Sequence, residues 1–199
     1  GMFAFALWDD RERKLLLVRD RYGKKPLYYH PSPRGLLFAS ELKALLEHPA
    51  LERRVDPRGL SRYLFYEYLP APHCIIAGVH KIPAGHVLTW QAGSLFLRPY
   101  WRIRFSGNGV RVPADEAEAE GELITLLKKA VERRLVGDVP LGVFLSGGID
   151  SSAIVALMAE LIPAERIKTF SIGFDEASFD ESAWARQVAE QFGTEHHEQ

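Results

Sequence analysis

Leu141-Gly-Val-Phe-Leu-Ser-Gly-Gly-Ile-Asp-Ser-Ser152 decides how the chain is read, because it joins an apolar strand to a helix through a phosphate-sized loop. Leu141 to Leu145 is a short apolar run of the kind a central parallel strand shows, and Ser151 to Leu161 has the length and apolar content of a covering helix. Between them lies Ser146-Gly147-Gly148-Ile149-Asp150-Ser151, whose two glycines lack Cβ atoms. The chain can therefore turn sharply there and bring successive backbone N–H groups close to an anion. The first turn of the helix adds its free N–H groups and the positive end of its macrodipole. Ser146 and Ser151 add hydroxyl donors, and Asp150 can hold a magnesium ion that bridges phosphate oxygens. The loop lacks the Gly-Lys-Ser/Thr ending of an ordinary ATPase loop, which points away from γ-phosphate transfer. Two adjacent glycines also fit an ordinary turn; the full strand, loop and helix context favours the phosphate reading.

Ser-Gly-Gly-x-Asp-Ser after a strand resembles the loop of the ATP pyrophosphatase family, which grips the pyrophosphate of ATP and cleaves at the α-phosphate. Downstream, the pattern predicts a second strand at Ile167 to Phe174, a helix at about Ser182 to Phe192 ending at Gly193, and a further strand beginning in Thr194 to Gln199. Alternating strands and helices imply a parallel, doubly wound sheet. Upstream, Asp115 to Leu135 reads as a helix with Leu123, Leu127, Ala130, Val131 and Leu135 on one face. Composition changes at Ser106-Gly-Asn-Gly109, where a domain boundary is expected.

The opening region reads differently. Phe3 to Trp8 and Leu15 to Arg19 form an expected antiparallel pair across a charged loop, and Leu27 to His30 with Leu36 to Ala39 form another across Pro31-Ser-Pro-Arg-Gly35. Ser40 is expected to cap a short helix at Glu41 to Glu47. Asp56-Pro57 starts a second helix, with the carboxylate as cap, and Pro70 and Pro72 stop the element near Tyr68. The aromatic stripe of that helix, Tyr63, Phe65, Tyr66 and Tyr68, reads as packing rather than as a cofactor platform. His86 to Trp90 and Ser94 to Arg98 make one more hairpin across Gln91-Ala92-Gly93.

Composition excludes several function classes. The 199 residues are 47% hydrophobic, enough for two small domains or one large one. With 25 Lys and Arg against 26 Asp and Glu, the net charge of -1 gives no broad field for nucleic acid or an anionic membrane, and neither partner is expected. No run is long enough to span a bilayer, and the first residues lack the basic start of a signal peptide, so a cytoplasmic setting is expected. The single cysteine, Cys74, excludes a disulfide framework and reads as an ordinary apolar residue. His196-His197 read as structural or surface residues rather than metal ligands, since neighbours on a strand face opposite ways. Asp175, Glu176, Asp180 and Glu181 read as loop and helix-start charges. The basic Arg19-Asp-Arg-Tyr-Gly-Lys-Lys25 loop reads as interdomain ion pairing, with anion binding left open.

Taken together, the chain resembles the glutamine-hydrolysing asparagine synthetases along nearly its whole length. Gly1-Met-Phe-Ala-Phe-Ala6, Arg19-Asp-Arg-Tyr-Gly-Lys-Lys-Pro-Leu-Tyr-Tyr29 and Phe38-Ala-Ser-Glu-Leu-Lys-Ala44 are similar to the closing half of that family's glutaminase domain. Tyr68-Leu-Pro-Ala-Pro72 and Lys81-Ile-Pro-Ala-Gly-His86 are similar to its interdomain connection, and Asp138 to Ser152 with Thr169-Phe-Ser-Ile-Gly-Phe174 to the first two strands of its synthetase domain. The resemblance implies residues 1–113 as the C-terminal part of a class II glutamine amidotransferase domain plus connection, the closing half of an N-terminal-nucleophile-type antiparallel sandwich. Residues 114–199 would then begin a doubly wound ATP pyrophosphatase domain, giving an α+β and α/β two-domain chain.

In that family glutamine is hydrolysed at one site, and ammonia crosses to another where ATP activates the aspartate side chain as an acyl-adenylate. The resemblance implies Ser146, Gly147, Gly148, Asp150 and Ser151 as the pyrophosphate cradle, with ATP and magnesium as cofactors and Asp150 toward the metal. Phe144, Leu145 and Ile172 would sit where the family holds adenine; as apolar residues they fit a pure core role equally well. The small-molecule partners implied are aspartate, glutamine or ammonia, and ATP, and the parent is compatible with a homodimer. The family's nucleophile is an N-terminal cysteine, whereas this chain starts at Gly1, so no glutaminase nucleophile and no glutaminase activity are expected in this polypeptide. The later Ser-Gly-Glu-Gly-x-Asp-Glu block has no counterpart, so an internal fragment of a longer enzyme is expected, its short sheet marginal by itself. Two other readings stay open: a β-lactam synthetase-like or other carboxylate-amidating relative, and a non-catalytic nucleotide-binding remnant.

Overall fold

The computed structural model describes residues 1–33, 35–103 and 113–199, so the expected composition boundary at Ser106 to Gly109 lies outside the described residues. The protein is mixed α and β, with two antiparallel sheets and one parallel sheet. It divides into two compact units, Gly1–Asn108 and Gly109–Gln199.

In the first unit, β1 (Ala4–Asp9), β2 (Lys14–Arg19), β6 (His86–Gln91) and β7 (Ser94–Pro99) form a four-stranded sheet in the order β1-β2-β6-β7. β3 (Tyr28–Ser32), β4 (Gly35–Ala39) and the two-residue β5 (His80–Lys81) form a second sheet in the order β4-β3-β5. All three expected hairpins are present. Alternation along the strands sets the layers: Leu15 and Leu17 of β2 and Leu88 of β6 meet Leu27, Tyr29 and Leu36 in one core between the sheets. The neighbouring residues Tyr28 and Leu37 face the other way and pack with Leu45, Leu51, Cys74 and Val79 in a second core. Cys74 is thus a buried apolar residue, as the sequence suggests. The β6–β7 turn uses Ala92 at φ 49° and Gly93 at φ 81°, the left-handed pair that matches strand twist.

Three local expectations need correction. Helix α1 (Leu42–Leu46) has Glu41 rather than Ser40 as its N-cap, and no side chain makes the capping bond. Helix α2 (Pro57–Tyr66) starts as expected, the Asp56 carboxylate accepting from the Arg58 amide at 3.0 Å. It ends earlier than Pro70 requires, because Glu67 adopts the left-handed conformation at φ 60°. The aromatic stripe does not pack into the core: Phe65 is 78% exposed, and Tyr63, Tyr66 and Tyr68 are exposed too. These rings meet one another edge to face instead, Phe65 with Tyr66 at 4.7 Å and Tyr66 with Tyr68 at 6.2 Å.

The basic loop after β2 is a closed main-chain device rather than an ion-pairing surface at Arg19. The Arg19 guanidinium donates to the carbonyls of Lys25 at 2.8 Å, Ile82 at 2.6 Å and Gly23 at 2.7 Å. The buried Asp20 carboxylate accepts from the amides of Tyr22 and Lys24, each at 3.1 Å, and Lys25 at 2.9 Å.

In the second unit, β8 (Gly142–Phe144), β9 (Lys168–Ser171) and β10 (Glu195–Glu198) run parallel in the order β10-β9-β8. Among the described residues β9 lies between β10 and β8, and β8 pairs on one side with β9. The order advances without reversal, so a doubly wound arrangement goes beyond these three strands. Helix α3 (Glu116–Glu132), capped by Asp115, buries Val131 against α4 (Ile149–Ala159) through Leu157 and Met158, with Ile167 and half-buried Leu135 alongside. Its expected apolar face is covered only at that end, since Leu123 and Leu127 are exposed. Helix α5 (Ser182–Phe192), ending at left-handed Gly193 as expected, packs Ala185 and Ala189 on Leu145 and Val155.

Candidate functional site

The loop from β8 into α4 is shaped by close packing on one side and openness on the other. Gly147 has φ +79°, which favours glycine, and a Cβ there would collide with the first turn of α5 at Trp184 and Ala185. Gly142 needs the same economy, since a Cβ there would run into the Phe170 ring. The loop therefore seats against its neighbours through glycine backbone and turns its other side to solvent.

Hydroxyl groups tie the loop together. The Ser151 hydroxyl lies 3.1 Å from the Gly148 carbonyl, to which it donates, and accepts from the Ser146 amide at 3.3 Å. The two serine oxygens are 3.2 Å apart, and the Gly148 amide reaches Ser146 Oγ at 3.4 Å. Gly148 is the N-cap of α4 and brings no side chain to close the helix end, so the first-turn amides and the positive dipole end stay available. Asp150 lies exposed in that first turn. This donor set, with a carboxylate at its rim, suits a polyphosphate carrying a divalent cation.

Beside the loop opens a cleft of about 410 Å³ lined by Phe144, Leu145, Ser146, Ser151, Phe170, Ser171, Ile172, Phe174, Phe179 and Glu181. Five of the eight residues expected at the site line it: Phe144, Leu145, Ser146, Ser151 and Ile172. The remaining three, Gly147, Gly148 and Asp150, belong to the adjoining loop and α4 start. The two readings of the apolar trio divide. Leu145 is 1% exposed and belongs to the core, whereas Phe144 and Ile172 are 78% and 59% exposed and free to meet a ligand.

Sequence reading missed four aromatic or acidic wall residues: Phe170, Phe174, Phe179 and Glu181. Period-two alternation at the end of β9 could have marked Phe170, but Phe179 and Glu181 come from the loop before α5, where spacing gives no direction. Asp180 does act as a helix-start charge. Its carboxylate accepts from the Ser182 amide at 3.1 Å and hydroxyl at 3.0 Å, which holds its pKa below the ordinary value. His196 and His197 face opposite ways as expected: His197 stacks on Phe170 at 5.0 Å, and His196 turns toward Thr169 and Ser171. A larger hollow of about 780 Å³ lies in the first unit by Tyr22, Tyr100 and Trp101.

Two protein families match successive stretches of the chain. The glutamine amidotransferase domain family matches residues 1–101, and the asparagine synthase family matches residues 122–199. Glutamine-hydrolysing asparagine synthetase 3 of Bacillus subtilis is 36% identical over 211 residues, covering 99% of this chain and 34% of that protein. Putative glutamine-hydrolysing asparagine synthetase 2 of Methanocaldococcus jannaschii is 32% identical over 199 residues, covering 99% of this chain and 38% of that protein. The amidase chry2 of Gibberella zeae is 33% identical over 212 residues, covering 99% of this chain and 31% of that protein. The chain thus spans about a third of the length of the curated relatives it matches. Among solved structures, the allosteric regulatory enzyme of purine biosynthesis aligns with 94% of this chain and 44% of its own at 11% identity, with a TM-score of 0.25.

Proposed function

The chain belongs to the family of glutamine-hydrolysing asparagine synthetases, and from that premise we propose that its second unit holds the pyrophosphate of ATP for the amidation of a carboxylate. The reaction proposed is the formation of asparagine from aspartate, ATP and glutamine-derived ammonia through an acyl-adenylate. One observation carries this reading: an α4 N-terminus that no side chain caps adjoins an aromatic-walled cleft large enough for a nucleotide. Residues 1–113 are assigned to the amidotransferase domain and its connection, and 114–199 to the start of a doubly wound synthetase domain. Small-molecule substrates, a cytoplasmic setting and a homodimeric parent belong to the same proposal. Among the described residues no helix is long and apolar enough to cross a membrane.

The residues divide the work by chemistry. The Ser146 and Ser151 hydroxyls and the α4 amides receive phosphate oxygens, and their preset arrangement needs no reorganisation when charge develops. Gly147 lets the loop lie flat against α5. Asp150 sits where it would hold magnesium, which when bound offsets the polyphosphate charge as a carboxylate approaches. Phe144 and Ile172, with Phe170, Phe174 and Phe179, offer apolar and aromatic faces for the base.

Magnesium-ATP titration of the purified polypeptide tests this reading. Asp150→Ala is expected to weaken binding about tenfold or more, the scale of a lost charge-assisted contact. Unchanged affinity removes Asp150 from the metal role, and no ATP binding by the wild type removes the nucleotide reading. In a second reading the amidated carboxylate is not aspartate. ATP–pyrophosphate exchange that depends on another acid and not on aspartate would select it.

A further inference from the structure

A chain of polar side chains runs beside the apolar clusters of the second unit and ends at the cleft. Thr169, 0% exposed, and Ser171, 7% exposed, point from the same face of β9. Opposite them on β10, in register, stand His196 and Glu198. His196 Nδ1 lies 2.8 Å from Thr169 Oγ1, and its Nε2 lies 3.3 Å from both Ser171 Oγ and Glu198 Oε1. Arg186 of α5 holds Glu198 through two hydrogen bonds, at 2.9 and 2.8 Å, and Thr194 Oγ1 is 3.0 Å from Thr169 Oγ1.

The direction of each hydrogen bond follows from the fixed end of the chain. Arg186 can only donate, so Glu198 is held as an acceptor. The same contact keeps the Glu198 carboxyl below its ordinary pKa. A ring nitrogen facing that carboxylate donates to it, which places a hydrogen on His196 Nε2. Nδ1 meets the Thr169 hydroxyl, which in turn meets Thr194 Oγ1. Ser171 Oγ shares the Nε2 hydrogen as an acceptor. Its own proton is thereby left unspent, and Ser171 lines the cleft.

We propose that His196 is a positioning residue that makes the Ser171 hydroxyl a hydrogen-bond donor into the cleft, toward an acceptor atom of the bound nucleoside. This rests on the nucleotide reading of the cleft. Ser171 is the binding residue; His196 acts through it and touches no ligand itself. The ligand chemistry it selects is an acceptor, a ring nitrogen of the base or a ribose oxygen.

Magnesium-ATP affinity of the whole polypeptide, with the thermal midpoint of each variant, tests the assignment. Ser171→Ala is expected to weaken binding about tenfold, the loss of one buried hydrogen bond. His196→Leu should weaken it by a similar factor, and the double variant no further, because both changes remove the same contact. His196→Gln puts an amide N–H near the Nε2 position and should restore affinity to within about threefold. Additive losses, or failure of the Gln rescue with the fold intact, overturn the role of His196. If Ser171→Ala binds like wild type while Asp150→Ala binds weakly, the cleft reading stands and this inference falls. If wild type binds no magnesium-ATP, both fall.

Discussion

Gly147 is packed against Trp184 so tightly that a Cβ built on it would run into the Trp184 side chain and lie 2.6 Å from that residue's carbonyl carbon. Its φ of +79° adds a second objection to any side chain. Gly147→Ala is therefore expected to destabilise the protein by about 2–4 kcal/mol, combining left-handed strain with overpacking. Gly148→Ala is the control: its φ is -70°, and its Cβ would meet only Ser146 Oγ, at 3.4 Å. That variant should unfold within about 0.5 kcal/mol of wild type. Equal thermal midpoints for the two variants would show that the start of α5 gives way.

Asp20 should make the first unit acid-sensitive. Burial pushes its carboxyl pKa up, but the amides of Lys25, Lys24 and Tyr22 together outweigh that and hold it below the ordinary value. Its contribution is thus complete above the unfolded carboxyl pKa and is lost as pH falls through the lower folded value. Asp20→Asn is expected to cost about 1–3 kcal/mol at neutral pH, the scale for disturbing buried charge-assisted hydrogen bonds. The gap between variant and wild type should close on acidification, which urea midpoints measured from neutral to strongly acidic pH will show. A constant gap would mean the loss is steric rather than electrostatic.

Leu17 is completely buried where the two antiparallel sheets meet. Leu17→Ala is expected to lower stability by about 2–5 kcal/mol, through lost transfer energy and the cavity left behind. Denaturant unfolding checks this, and a loss below about 1 kcal/mol would mean the sheets close over the gap.

Phe65 gives the opposite expectation, because 78% of it faces solvent. Phe65→Gln should leave unfolding within about 0.5 kcal/mol of wild type, as surface changes do. A large loss in the same unfolding measurement would show that the stripe is covered after all.

What could be read from the residues was whatever depends on short range. Asp56 and Pro57 announce the start of α2, Gly193 the end of α5, and Ala92-Gly93 a hairpin, because each requirement lies in one or two backbone angles. The Ser146 to Ser151 loop was legible for the same reason. Order in a sheet was not: Leu141 to Leu145 reads as a strand, but its residues do not name its neighbours, and among the described residues β9 pairs with β8. An apolar sequence says that a strand wants cover and does not say from which side. The stripe from Tyr63 to Tyr68 misled because aromatic content reports a capacity for burial, while the fold decides whether anything lies opposite. The same limit hid Glu181 and Phe179, which reach the cleft from a loop with no period to read.

Arg19 and Asp20 spend their opposite charges on the main chain of one loop, the first on carbonyls and the second on amides. Its shape is then dictated by atoms common to every amino acid, whereas the side chains of Tyr22 and Lys24 stand outward. The loop is a fixed mount with replaceable fittings. A reporter group or an epitope carried at Lys24 would be displayed in a set orientation, and the frame beneath would not register the exchange.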